Sequence, residues 1–180
     1  MAEATLKTKA NKNQDQSKME NQTDPLNESF ENISTSFPLI ADGHYDLVCK
    51  EATLVKTNAG DPMLKLQLAT TVPTTSRAGE DIPPGAVVFH NVTLRPTGDA
   101  TARMINQNIG EVVQAAGITS AEMGAPKLSE QLDRLINGQW HLAFQGRVMR
   151  CTVGYKPAGV AKKTGKSYEA HNVITQFIKK

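Results

Sequence analysis

Between residues 140 and 180 the chain carries eight Lys and Arg against a single acid, Glu169, a local balance of +7 in a protein whose total is +2. The rest of the chain is therefore net negative, and charge is segregated toward one end. Four of these cations, Lys156, Lys162, Lys163 and Lys166, fall within residues 156–167, a stretch without an acid. Together with Arg147 and Arg150 they have the chemistry to neutralise successive phosphates and release counterions. Tyr155 and Tyr168 flank this stretch, and Phe89 sits among polar neighbours. Exposed rings among cations can stack nucleobases, at about 1–3 kcal/mol per base. Lys56 and Lys65 add two further cations upstream.

These groups must be held by the surrounding elements, and the apolar periods say which. Residues 140–155 read as a strand. Trp140, Leu142, Phe144 and Val148 occupy even positions, and beyond Gly146 the apolar set moves to Met149, Cys151, Val153 and Tyr155. A one-residue change of phase at a glycine predicts a β-bulge there. The lysine-rich loop follows, and residues 168–178, with Val173, Ile174, Phe177 and Ile178, close a hairpin.

Upstream, residues 43–55 form a first strand with Tyr45, Leu47 and Cys49 on one face. Leu54 breaks that parity, which predicts a bulge or strong curvature. Residues 56–62 have turn chemistry, with Gly60 suited to a positive φ. Residues 62–71 alternate, with Leu64, Leu66 and Leu68 inward and Met63, Lys65 and Gln67 outward. A polar loop spans residues 74–85. In the third strand, 86–94, Val88, His90, Val92 and Leu94 share one face, and Phe89, Asn91 and Thr93 share the other. The period then changes to helical through Met104, Ile105, Ile109, Val112, Val113 and Ala116, between an Asp99 cap and a Gly117 stop. Thr119 and Glu122 have capping-box spacing. Leu128, Leu132, Leu135 and Ile136 mark a second helix that ends at Asn137-Gly138.

This order is mainly β with a helical insertion: three strands, helix, two strands. It matches a five-stranded, partly open Greek-key barrel, the OB-fold, with the helix between strands three and four. In that fold the loops joining strands one to two and four to five border the ligand face. Here these are the turn at residues 56–61 and the lysine loop, and both carry cations. Residues 1–37 form a separate polar arm with four Lys and six acids. Its sparse apolar residues cannot offset the entropy of ordering, so it is expected to be disordered, anchored through Phe30, Ile33, Phe37, Leu39 and Ile40. The domain proper is residues 38–180.

Signatures of catalysis are missing from the sequence: there is no P-loop, G-x-S-x-G, H-E-x-x-H or dinucleotide-binding glycine pattern. His44, His90, His141 and His171 are scattered singly on strands. Cys49 and Cys151 have no C-x-x-C partner, so they are expected to be reduced core residues rather than zinc ligands. We expect no enzyme activity, no metal and no cofactor. The N-terminus lacks the apolar core of a signal peptide and no apolar run reaches membrane-spanning length, which predicts a cytoplasmic protein.

One ordered set of segments carries a resemblance. It consists of Ala41-Asp-Gly-His-Tyr-Asp-Leu-Val48 with Glu51, Lys56-Thr-Asn-Ala-Gly-Asp-Pro-Met-Leu-Lys-Leu66, Asn91-Val-Thr-Leu94, Gln114-Ala-Ala-Gly117 and Tyr168-Glu-Ala-His-Asn-Val-Ile174. Across residues 39–178 the chain resembles the bacteriophage single-stranded-DNA-binding proteins of OB-fold type. The resemblance implies a non-enzymatic, oligomeric protein that coats single-stranded DNA during phage replication or recombination, in the host cytoplasm and alongside replication or recombination proteins. Such proteins commonly end in an acidic recruiting tail, whereas this sequence ends Phe177-Ile-Lys-Lys180, leaving the N-terminal arm as the candidate for that role. The alternative is a virion or assembly protein whose arm threads neighbouring subunits.

Overall fold

The computed structural model describes residues 37–94, 99–161 and 165–179, and the side chains of residues 99–106, 128 and 129 lie outside that description. Expectations for residues 1–36, for the Asp99 cap, for Met104, Ile105 and Leu128, and for Lys162 and Lys163 thus fall outside the described residues.

In chain order the elements are β1 (Gly43–Lys56), β2 (Pro62–Thr70), β3 (Thr74–Thr75), β4 (Asp81–Ile82), β5 (Val87–Thr93), α1 (Asp99–Ala115), α2 (Ser120–Met123) and α3 (Leu128–Asn137). A 3-10 helix (Trp140–Phe144), β6 (Val148–Lys156), β7 (Gly159–Val160), β8 (Ser167–Tyr168) and β9 (His171–Ile178) complete the chain. The protein is mainly β, and its centre is a five-stranded antiparallel sheet in the order β5-β2-β1-β6-β9.

Alternation builds the middle of that sheet. Leu64, Leu66 and Leu68 of β2 are completely buried, each stabilising by about 1.5–3 kcal/mol relative to exposure. Lys65 between them points out. The turn before β2 closes through the Thr57 N–H to the Asp61 carbonyl at 2.8 Å, with Gly60 at φ 86°. The parity break in β1 is a bulge at Lys50. Cys49 stands opposite Leu68 and Glu51 opposite Gln67, so the inward set shifts from Leu47 and Cys49 to Ala52 and Leu54.

Residues 140–146 correct the expected strand. Trp140–Phe144 is a 3-10 helix, isolated by Gln139 at φ 57° and Gly146 at φ 76°, and β6 begins only at Val148. The helical turn drives Phe144 fully into the core and leaves Leu142 exposed. The change of phase thus accompanies a change of element, and the expected bulge at Gly146 sits at the junction. The Gly146 N–H donates to the Cys49 carbonyl at 2.8 Å and the Cys49 N–H donates to the Arg147 carbonyl at 2.9 Å, so Gly146 and Arg147 together oppose Cys49. Arg147 accordingly precedes the strand. A further bulge lies in β9 at Thr175, where Thr152 faces Gln176 and Val153 faces Ile174. Both expected polar loops hold short pairs of their own, β3 with β4 and β7 with β8.

Helix α1 buries Ile109, Val112 and Ala115, and terminates at Gly117, whose φ is 68°. Thr119 Oγ1 accepts the Glu122 N–H at 3.1 Å and starts α2. Helix α1 packs against both edge strands, β5 and β9. These edges run in the same direction and are brought together without hydrogen bonding to each other. The His90 and Phe177 rings meet edge-to-face at 4.8 Å across the seam. Ile40, completely buried, is held beside this seam: Asn172 of β9 accepts its N–H at 3.0 Å and donates to its carbonyl at 3.0 Å. Among the described residues no helix is long and apolar enough to cross a membrane.

Candidate nucleic-acid interface

Strand alternation decides which side chains can face a ligand. In β5, Val88 and Val92 enter the core with His90 beside them, which turns Phe89 and Asn91 to the outer face. Phe89 stands opposite Gln67, and Lys65 of β2 opposite Asn91. Lys65 therefore reaches diagonally over Phe89, its Nζ 5.1 Å from the ring centroid, within cation–π range. Phe37 meets the same ring edge-to-face at 5.4 Å.

On the other edge, Lys156 of β6 pairs with His171 of β9, so both project outward from one cross-strand pair. Tyr168 completes the cluster, with Lys156 Nζ 4.7 Å from its ring centroid and the His171 ring at 5.7 Å. Gly159, opposite Tyr168 in the β7–β8 pair, makes this possible. A Cβ there would come within 2.9 Å of the Tyr168 hydroxyl oxygen.

The two tyrosines expected to act together are separated. Tyr155 follows Cys151 and Val153 on the inward face and emerges at the sheet's end. The Arg77 guanidinium lies 4.2 Å from its ring centroid and is itself paired to Asp42 at 2.6 Å. Of the expected cations, Arg147 pairs with Glu122 of α2. Arg150 is exposed opposite Asp46 on β1. Lys56 is exposed at the far end of β1, opposite Pro62, and Lys166 is exposed in the β7–β8 hairpin. The register places Lys56 and Lys156 at opposite ends of β1, because β1 and β6 are antiparallel with Gly43 facing Val153.

Among the described residues, Phe89 with Lys65 and Tyr168 with Lys156 are therefore the ring-and-cation pairs on the outer face, one beside each edge of the seam. Between them runs a groove of about 390 Å³ lined by Phe89, Asn91, His171 and Val173 among others. A second groove of about 230 Å³ continues past His90 and Ile174 to Asn108 and Glu111 of α1. Burial lowers the pKa of His90 below its ordinary 6.5, so the imidazole under the seam is neutral at pH 7.

Phe37, Arg77 and His171 belong to the surroundings of these rings but were not marked as site residues by the sequence. Arg77 reaches Tyr155 and Phe37 reaches Phe89 across long sequence separations, which no local spacing encodes. Among the described residues, no three metal-ligating side chains converge on one point. No protein-family model and no curated protein matches the chain, so its functional reading rests on this geometry.

Proposed function

We propose that the protein is a largely sequence-independent single-stranded-DNA-binding protein, non-enzymatic, of the phage replication or recombination type that its sequence resembles. The observation that carries this reading is the pair of cation-braced rings, Lys65 with Phe89 and Lys156 with Tyr168, beside opposite edges of one open groove. Rings offer every base a stacking face, and cations beside them neutralise the phosphates between bases, a combination that needs no base-specific contact. The finer fold reading is an OB-type Greek-key barrel. In its support, β1 lies between β2 and β6, the helices fall between the third and fourth long strands, and the edge strands β5 and β9 approach in parallel. The turn at Lys56 and the β7–β8 hairpin then stand at the two ends of the binding face.

The test is fluorescence-anisotropy titration of an end-labelled single-stranded oligonucleotide across a salt series, with the matching duplex as competitor. Affinity should fall steeply with salt, and the duplex should not displace the strand. Lys65→Glu and Lys156→Glu should each weaken binding and lower the salt slope by about 0.7, the contribution of one phosphate contact on a single strand. Unchanged affinity in both variants would remove the ring-and-cation mechanism.

A further inference from the structure

The groove across the seam has the chemistry of a seat for a single planar heterocycle. Its volume, about 390 Å³, lies near the lower end of the roughly 300–1,000 Å³ typical of small-ligand pockets. Its walls are apolar at Val87, Val173 and Ile174, aromatic at Phe89, and polar at Asn91 and His171. No carboxylate lines it. Nucleobases have this division of character, with apolar faces that stack and polar edges that hydrogen-bond. The cations stand at the rims rather than inside, where the phosphates on either side of an inserted base would pass.

One wall of this groove, the Phe89 ring, already carries a second ring. Phe37 packs edge-to-face on Phe89 with an interplanar angle of 74° while remaining 55% exposed, so burial in the core does not account for its place. Three residues later the chain is fixed by the Asn172 clasp on Ile40, which keeps Phe37 beside the seam.

We infer that the β5–β9 seam is the seat for one unstacked base of a bound strand, and that in the free protein Phe37 covers the Phe89 ring on which that base would stack. The inference rests on the single-strand reading and adds an internal competitor to it. The base and Phe37 exclude each other at the same ring, so binding must displace Phe37, and the segment that leads into the domain becomes sensitive to occupancy.

The experiment uses the full chain and oligonucleotides bearing 2-aminopurine at one position, read in parallel with end-label anisotropy. Phe37→Ala should strengthen binding about 2- to 10-fold, the worth of one edge-to-face ring pair. It should also enlarge the 2-aminopurine fluorescence change. Phe89→Ala should cancel that gain, and Asn91→Ala should weaken binding and reduce the fluorescence change. Salt-sensitive binding in which Phe37→Ala is neutral or weakening would overturn the inference while leaving the single-strand reading intact. Absence of oligonucleotide binding by any variant at low salt would overturn both.

Discussion

Cys49 and Cys151 are buried thiols whose surroundings oppose the thiolate. Burial pushes Cys49 up to about 11, and burial together with the negative charge of Asp46 pushes Cys151 up to about 12. Since the thiolate is the reactive species, at pH 8 only about one Cys49 in a thousand is competent, and fewer of Cys151. The two cannot bridge. Cys151 faces Tyr45, and Cys49 lies four residues further along β1, roughly 13 Å at strand rise and beyond the roughly 7 Å disulfide limit. A colorimetric thiol reagent at pH 8 should therefore react with native protein at under about 1% of the rate seen in denaturant, where both thiols appear. Rapid release of one equivalent from the folded protein would contradict the burial. The outward positions of Lys65 and Phe89 were legible in the sequence at this scale, whereas Lys156 was read as a loop cation and Tyr168 as a ring flanking that loop. The pairings were not legible, because Lys65 and Phe89 meet through a strand register, and Tyr155 finds Arg77 across 78 positions.

Strand β5 shows how one element serves core and surface at successive residues: Phe89 faces outward and His90 lies under the seam against Phe177. Because burial lowers the His90 pKa, the unfolded chain binds a proton more readily than the folded one. Stability then rises with pH in this region, is fully present above pH 6.5, and is lost as pH falls through 6.5 toward the folded value. One such proton sets a ceiling of about 1.4 kcal/mol per pH unit on the slope. Denaturant titrations at pH 7.0 and 5.5 should show His90→Gln losing less stability over that interval than the parent protein. An identical loss in both would place the acid sensitivity elsewhere. The strands themselves were readable because leucines at 64, 66 and 68 admit one period, and the Leu54 parity break announced the β1 bulge. Residues 140–144 misled because a five-residue, mostly apolar segment cannot separate a tight helix from a strand. The signals that resolve it, a left-handed Gln139 and the full burial of Phe144, belong to tertiary structure.

Over the whole molecule, the boundary between arm and domain can be placed by what each residue contributes to the core. Phe37 is half exposed, whereas Ile40 is completely buried and fastened at both backbone atoms to Asn172, 132 positions away. Ala41 and Leu39 add hydrogen bonds to Thr75 and Arg77. The sequence indicated a boundary near Pro38 from composition alone, but it could not show that Ile40 is fastened to the sheet, since that depends on where β9 places Asn172. Removing residues 1–36 should therefore leave the melting temperature within about 2 °C, because none of these contacts is lost. Removing residues 1–41 deletes the burial of Ile40, about 1.5–3 kcal/mol, and strands the buried Asn172 amide at about 1–3 kcal/mol. Melting should then fall by roughly 10 °C. Sedimentation of the shorter truncation separates the two roles considered for the arm. For a single-strand binder whose platform lies within residues 37–180, the truncated protein keeps the oligomeric state and salt-sensitive oligonucleotide binding of the full chain. If it instead falls to a monomer with its melting temperature intact, the arm holds subunits together and the assembly role takes precedence.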